Sequence, residues 1–235
     1  MSPNTKFFTE QTEQSMVKAK IVIDYFTAWS RVMKNHWKGS IGYIDLFCGP
    51  GVYANGGKSV PIMLLEKVCT DKDLAQRMRF YFNDENPENT ANLKFEIGKM
   101  PGTSEMLKKM VFKNNTITKD FADTVSIQKN IPMLSFVDPW GYKGLTMHLV
   151  EKLIDNSGSE CIFFFNYNRI NMALSSNTLF DEHLAGIFGV KRTASLKTEL
   201  ALLTSAEHRE QVLLNEILTV LMNGTGYFVL GTSLQ

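Results

Sequence analysis

Five expected strands in this chain each stop at polar or glycine-rich residues, and that recurrence constrains the fold more than any other feature. Ile41–Leu46 leads into Phe47-Cys48-Gly49-Pro50-Gly51, and Arg79–Phe82 ends at Asn83-Asp84-Glu85. A strand expected near Thr116–Thr118 ends at Lys119-Asp120, Met133–Val137 ends at Asp138-Pro139-Trp140-Gly141, and Cys161–Phe165 ends at Asn166. Continuous apolar runs suit strands buried on both faces of a parallel sheet. Helix signals lie between them. Ser59 before Pro61 predicts a capped helix to about Cys69, and Asn86 before Pro87 predicts another to about Ile97. Gly98, Pro101 and Gly102 predict a break and then a short helix, and Thr146–Asp155 reads as a further helix. Strands alternating with helices predict one α/β domain with a mostly parallel sheet.

Amphipathic sequence flanks this core. Over residues 12–37, Val22, Tyr25, Phe26, Trp29, Val32, Met33 and Trp37 recur at three- and four-residue steps, with Lys18, Lys20, Asp24, Arg31 and Lys34 largely opposite. That predicts an N-terminal helix packed on the domain, or one that turns its aromatic residues to a partner. Beyond about residue 168 the chain reads as mainly helical. A helix over Glu207–Met222 should stop at Asn223-Gly224, and Tyr227–Leu230 reads as a last short strand. The expected organisation is a single domain over 1–235: the helix at about 12–37, a core at about 41–166 and a helical part at about 168–235.

Charge and cysteine usage narrow the function classes. The net charge of +1 shows no dominant drive toward nucleic acid or anionic membrane, although a local basic patch can hide in such a balance. Cys48, Cys69 and Cys161 lie far apart, and neither they nor the four histidines have zinc-site spacing, so no metal site is expected. Reduced thiols in a cytoplasmic protein are the expectation. No apolar run approaches the ~20 residues of a membrane span.

Ligands of such sheets bind outside the carboxyl ends of the strands. In Asp45-x-x-x-Gly49-x-Gly51 the glycines allow a sharp turn and close approach to a ligand. The full dinucleotide pattern would need a third glycine at position 54, which is Ala54; an uncharged nucleoside with an amino-acid tail fits as well. Asp84 or Glu85 could accept hydrogen bonds from a ribose diol, or could stabilise a helix start. Asp120 could accept from an adenine amino group or could be a capping aspartate. Asp138-Pro139-Trp140 offers a carboxylate to hold an amine, a stiff turn and a ring to stack on a flat substrate; a turn aspartate beside a buried tryptophan is the alternative. Gly57-Lys58-Ser59 suggests the end of a P-loop, but that spacing needs glycine where Val52 stands, and the lysine is far from the strand.

Tyr43-Ile44-Asp45-Leu46-Phe47-Cys48-Gly49-Pro50-Gly51 resembles motif I of class I methyltransferases. Lys20-Ile21-Val22 with Tyr25-Phe26 and Trp29, and Phe136–Gly141, resemble the three-Cys-motif partner family, TcmP, over nearly the whole chain to about residue 230. The resemblance implies a Rossmann-like three-layer methyltransferase fold and S-adenosylmethionine as cofactor. It also implies a prokaryotic setting and a protein partner carrying a three-cysteine motif. By position, Asp45, Phe47, Gly49 and Gly51 would form the cofactor loop, with Asp84 or Glu85 on the ribose and Asp120 nearby. Asp138, Pro139 and Trp140 would take the place of the Asp/Asn-Pro-Pro-aromatic motif of amino-methyltransferases. That motif has two prolines; here there is one, with Trp140 a position early and Tyr142 a position late. The implied reaction is methyl transfer, with a nucleic-acid base amino group as the acceptor considered. A methyltransferase-like module that binds a partner without catalysis, and a nucleotide triphosphatase, are the alternatives. Such sheets close with two strands after the fifth, the last antiparallel; only Tyr227–Leu230 is left for them, so the last antiparallel strand is expected to be missing.

Overall fold

The computed structural model describes residues 13–125, 129–139, 146–164 and 181–225. They gather into two compact units. The first comprises the described residues within Met1–Thr116, Ile127–Asp138 and Leu153–Phe163, the second those within Ile117–Ser126, Pro139–Lys152 and Phe164–Gln235.

The first unit is built on five strands: β1 (Ile41–Asp45), β2 (Met78–Asn83), β3 (Val111–Lys113), β4 (Met133–Val137) and β5 (Glu160–Phe163). They lie in the order β3-β2-β1-β4-β5, and every pair is parallel. This is the order of a Rossmann-like α/β sheet, with its switch point between β1 and β4. Each residue of β1 and β4 is buried, as central strands covered on both faces require. A Cβ at Gly42 in β1 would lie 2.2 Å from Met133 Sδ, so that side chain would have to move, and 3.2 Å from the Arg79 carbonyl.

Helix α1 (Glu13–His36) packs through Ala19, Val22, Ile23, Phe26 and Trp29, all buried. The Phe26 ring meets Tyr43 edge-on at 6.2 Å, and the Trp29 indole donates to the Gly158 carbonyl at 3.1 Å. Tyr25 and Val32, expected in the buried stripe, are 40% and 50% exposed. They sit at the edge of a stripe whose centre is Val22, Phe26 and Trp29.

Helix α2 (Val60–Cys69) starts where expected, with Pro61 in its first turn, but Ser59 makes no side-chain capping bond. α3 (Lys72–Arg77) is a short helix that the sequence pattern did not suggest; Asp71 caps it by accepting from the Asp73 and Leu74 amides. α4 (Pro87–Lys99) is capped by Asn86, as its sequence predicts, and α5 (Ser104–Leu107) follows the expected break. The third strand is a correction: it is Val111–Lys113, not Thr116–Thr118. Val111, Phe112 and Lys113 are intermediate or exposed, so this edge strand lacks the apolar run that marks a buried one.

Helix α6 (Phe121–Thr124) lies in the second unit, as does most of α7 (Met147–Ile154). That unit also holds α8 (Asp181–Phe188), α9 (Val190–Ala201) and α10 (Ala206–Thr225). Arg192 joins α9 to α10 through two bonds to the Glu216 carboxylate at 2.8 and 2.7 Å. α10 runs through Asn223-Gly224, where a stop was expected; a glycine weakens a helix without ending it. Trp140, Gly141, Asn166, Tyr227–Leu230 and any closing antiparallel strand lie outside the described residues. Among the described residues no helix is long and apolar enough to cross a membrane.

Candidate functional site

The switch point of the sheet is formed by the ends of β1 and β4. Their pairing continues one step past Asp45, with the Leu46 amide on the Phe136 carbonyl at 3.2 Å. Asp45 is 1% exposed. Its carboxyl accepts from the Phe47 amide at 3.0 Å and from the Tyr43 hydroxyl at 3.2 Å. Burial pushes this carboxyl up to about 7; the Phe47 and Tyr43 bonds oppose the rise, and the charges of Asp138 and Asp84 add to it. An aspartate kept in such a place is a candidate for function.

The loop after Asp45 turns through Gly49 at φ 64° and Gly51 at φ 89°, conformations that favour glycine. The Gly49 amide donates to Asp84 Oδ2 at 3.0 Å. Asp84 Oδ1 accepts from the Asn86 amide and from Asn89 Nδ2, each at 3.0 Å. Both oxygens of Asp84 are thus engaged in holding the loop to the start of α4. Glu85 beside it is exposed. Of the two acids at the end of β2, Asp84 fixes the loop and Glu85 faces solvent.

Asn83 adds a second staple that sequence reasoning did not identify. Its Nδ2 donates to the carbonyls of Leu46 at 3.1 Å and Asn115 at 2.9 Å, and its Oδ1 accepts from the Asn115 amide. The Cys48 amide donates to the Asn83 carbonyl. Cys48 is itself buried, and burial with the charges of Asp45 and Asp84 pushes its thiol far up, out of nucleophilic range.

Past Gly51 the chain forms a small hairpin closed by an antiparallel bridge between Val52 and Lys58. Lys58 is exposed and its Nζ lies 2.5 Å from Glu66 Oε1 on α2. Ser59 returns to the loop, its amide donating to the Gly51 carbonyl at 2.7 Å. Its hydroxyl is buried without a hydrogen-bond partner among the described residues. Tyr53 on the hairpin is also electrostatically close to the acids: burial, then Asp45 and Asp138, push its hydroxyl up.

Asp138 directly follows β4, with Pro139 buried next to it. Both of its oxygens are held by Lys18 Nζ, at 2.8 and 3.0 Å. Burial pushes the Asp138 carboxyl up, and the Lys18 charge and hydrogen bonds pull it back. The sequence pattern puts Lys18 on the polar face of α1, and its pairing with a residue 120 positions away leaves no sequence signal. The structure therefore brings together Asp45, Phe47, Gly49, Gly51, Asp84, Glu85 and Asp138 at the ends of β1, β2 and β4. Asp120 is exposed at the start of α6, makes no capping bond there, and belongs to the second unit. Trp140 is not among the described residues. No group of three or more His, Cys, Asp or Glu suited to a metal ion occurs among the described residues.

Fold and site define a Rossmann-like α/β protein with an acidic, glycine-turned loop at its switch point. No protein-family model matches the chain, and no curated protein does. Among solved structures, it is similar to the plantazolicin methyltransferase BamL, in complex with a triazolic desmethylPZN analog and SAH. That likeness has 11% identity and a TM-score of 0.43, covering 95% of this chain and 83% of that one. A putative sarcosine dimethylglycine methyltransferase from Galdieria sulphuraria has 9% identity and a TM-score of 0.39, covering 93% and 88%. Coclaurine N-methyltransferase, bound to N-methylheliamine and SAH, has 10% identity and a TM-score of 0.38, covering 92% and 70%. Likenesses this distant transfer no function, because one fold hosts many chemistries.

Proposed function

We propose that this chain is an S-adenosylmethionine-dependent methyltransferase whose cofactor lies against the Asp45–Gly51 loop. One observation carries the reading: the left-handed glycine turn is held by the Asp84 carboxylate, while Glu85, next in sequence, stays exposed at the same strand end. The residues present fit this cofactor. Asp45 fixes the turn through the Phe47 amide, Asp138 offers a carboxyl group to an ammonium, Glu85 offers two acceptor oxygens to a diol, and the buried Ser59 hydroxyl is an orphaned polar atom beside Gly51. The cofactor supplies a methyl group on a sulfonium, reactive enough that the protein's part is mainly alignment.

Asp138 is the residue that orients the acceptor. It already holds an N–H donor, the Lys18 ammonium, with both oxygens at hydrogen-bond distance. Buried Pro139 stiffens the turn, and Trp140 is the stacking residue of the reading. The acceptor class we assign is an exocyclic amine of a nucleic-acid base, turned out of its stack. From the resemblance to the three-Cys-motif partner family this reading also takes a prokaryotic, cytoplasmic setting and a three-cysteine protein partner. Tritiated S-adenosylmethionine incubated with pools of DNA, RNA and base analogues tests it. Label should enter an amine-bearing acceptor with the wild type and fall at least about tenfold with Asp138→Ala. No transfer to any pool would refute it.

A second reading, a partner-binding module without catalysis, draws on α1. Met16, Val17, Tyr25 and Val32 are 49%, 48%, 40% and 50% exposed along that helix. Under that reading Val17→Glu and Val32→Glu abolish biological activity while Asp138→Ala leaves it intact.

A further inference from the structure

We propose that Lys18 is a positioning residue of this site, acting through Asp138: its ammonium fixes the carboxylate as an oriented acceptor at the end of β4. The inference rests on the methyltransferase reading for its use, but not for its geometry.

Lysine side chains on helices usually extend into water, and α1 shows the contrast. Lys20, two residues on, is 75% exposed and pairs with Asp24 one turn away, a contact worth little. Lys18 is 26% exposed and reaches across 120 positions to Asp138, itself 32% exposed. Partial burial of two charges is tolerated when each satisfies the other. At 2.8 and 3.0 Å the ammonium sits astride both oxygens. A carboxylate oxygen carries more than one lone pair, so accepting from Lys18 does not by itself exhaust its capacity to accept from a ligand.

The surroundings of Asp138 explain why a cation is needed. Asp45 at the end of β1 lies close enough for its carboxyl to feel Asp138, and Asp84 at the end of β2 acts on the same carboxyl. The Tyr53 phenol on the hairpin feels both Asp45 and Asp138. Asp45 and Asp84 are carboxylic acids, Tyr53 is a neutral phenol, and burial disfavours charge on Asp138. Without Lys18, Asp138 would tend toward the protonated form, which presents a donor where an acceptor is wanted. Because Lys18 follows from the first turns of α1 directly into Ala19, Val22 and Ile23, which are buried, the same bond also ties the start of that helix to the site.

The test uses the full chain with carboxyl-labelled aspartate, titrated by carbon NMR without ligand, with Asp138→Asn assigning the resonance. Lys18→Met should raise the Asp138 midpoint by about 1 pH unit or more, and Lys18→Arg should restore it. The pH profile of S-adenosylmethionine binding, measured by calorimetry on the same proteins, should shift with it. Coincident titrations for wild type and Lys18→Met would overturn the proposal, as would a Lys18→Met defect confined to melting temperature. If the wild type binds neither S-adenosylmethionine nor S-adenosylhomocysteine, the cofactor reading fails, and the ligand-free titration still decides the role of Lys18.

Discussion

Gly51→Ala isolates the demand that the loop places on its backbone. Gly51 has φ +89°, and a left-handed conformation costs a residue with a Cβ about 1–2 kcal/mol. The added Cβ would also lie 3.2 Å from Leu93 Cα and 3.1 Å from Leu93 Cδ1 on α4. The first of these is backbone and cannot rotate aside, so an overpacking cost of about 1–3 kcal/mol follows. The expected total is about 2–5 kcal/mol. Gly56→Ala is the matched control: its φ is +82°, but nothing lies within 4 Å of the added Cβ. It should cost only the backbone strain, about 1–2 kcal/mol. Equilibrium urea unfolding followed by tryptophan fluorescence measures both, with m-values compared to confirm that the same transition is observed. Equal destabilisation by the two substitutions would refute the claim that α4 presses directly on the loop.

Other substitutions separate the acids of the rim. Asp84→Ala strands the Gly49 and Asn86 amides and the Asn89 side chain, and should destabilise by about 2 kcal/mol or more in the same unfolding experiment. Glu85→Ala, at an exposed position, should change stability by no more than about 0.5 kcal/mol yet weaken S-adenosylmethionine binding about tenfold in calorimetry. Reversed effects would exchange the two roles. For Asp45 the carboxyl is raised from 3.8 to about 7 in the folded chain, so the folded state holds a proton that the unfolded state releases. Its contribution to stability is full below about pH 4 and is lost as pH rises to about 7. Melting temperatures of Asp45→Asn should therefore gain on the wild type across that window; a difference independent of pH would contradict this.

The buried strands announced themselves in the sequence because burial on both faces leaves a continuous apolar run. Met133–Val137 is found as expected, and Pro87 after Asn86 marked the start of α4. β3 did not, since an edge strand such as Val111-Phe112-Lys113 needs no such run. α3 was missed because six residues carry too little periodicity to register. Asp45, Gly49, Gly51 and Asp138 were identifiable by position, at the ends of strands. The division of labour between Asp84 and Glu85 was not, because it depends on which carboxylate meets the Gly49 amide. Lys18 and Asn83 act on residues distant in sequence, and one sequence carries no record of such pairings.

The central claim is that the loop at the end of β1 holds S-adenosylmethionine, and calorimetric titration of the full chain with that compound and with S-adenosylhomocysteine tests it most directly. The account predicts saturable binding of at least one of them at one site per chain, weakened by Glu85→Ala and by Gly51→Ala. Absence of binding by both ligands to a folded wild-type chain would contradict it.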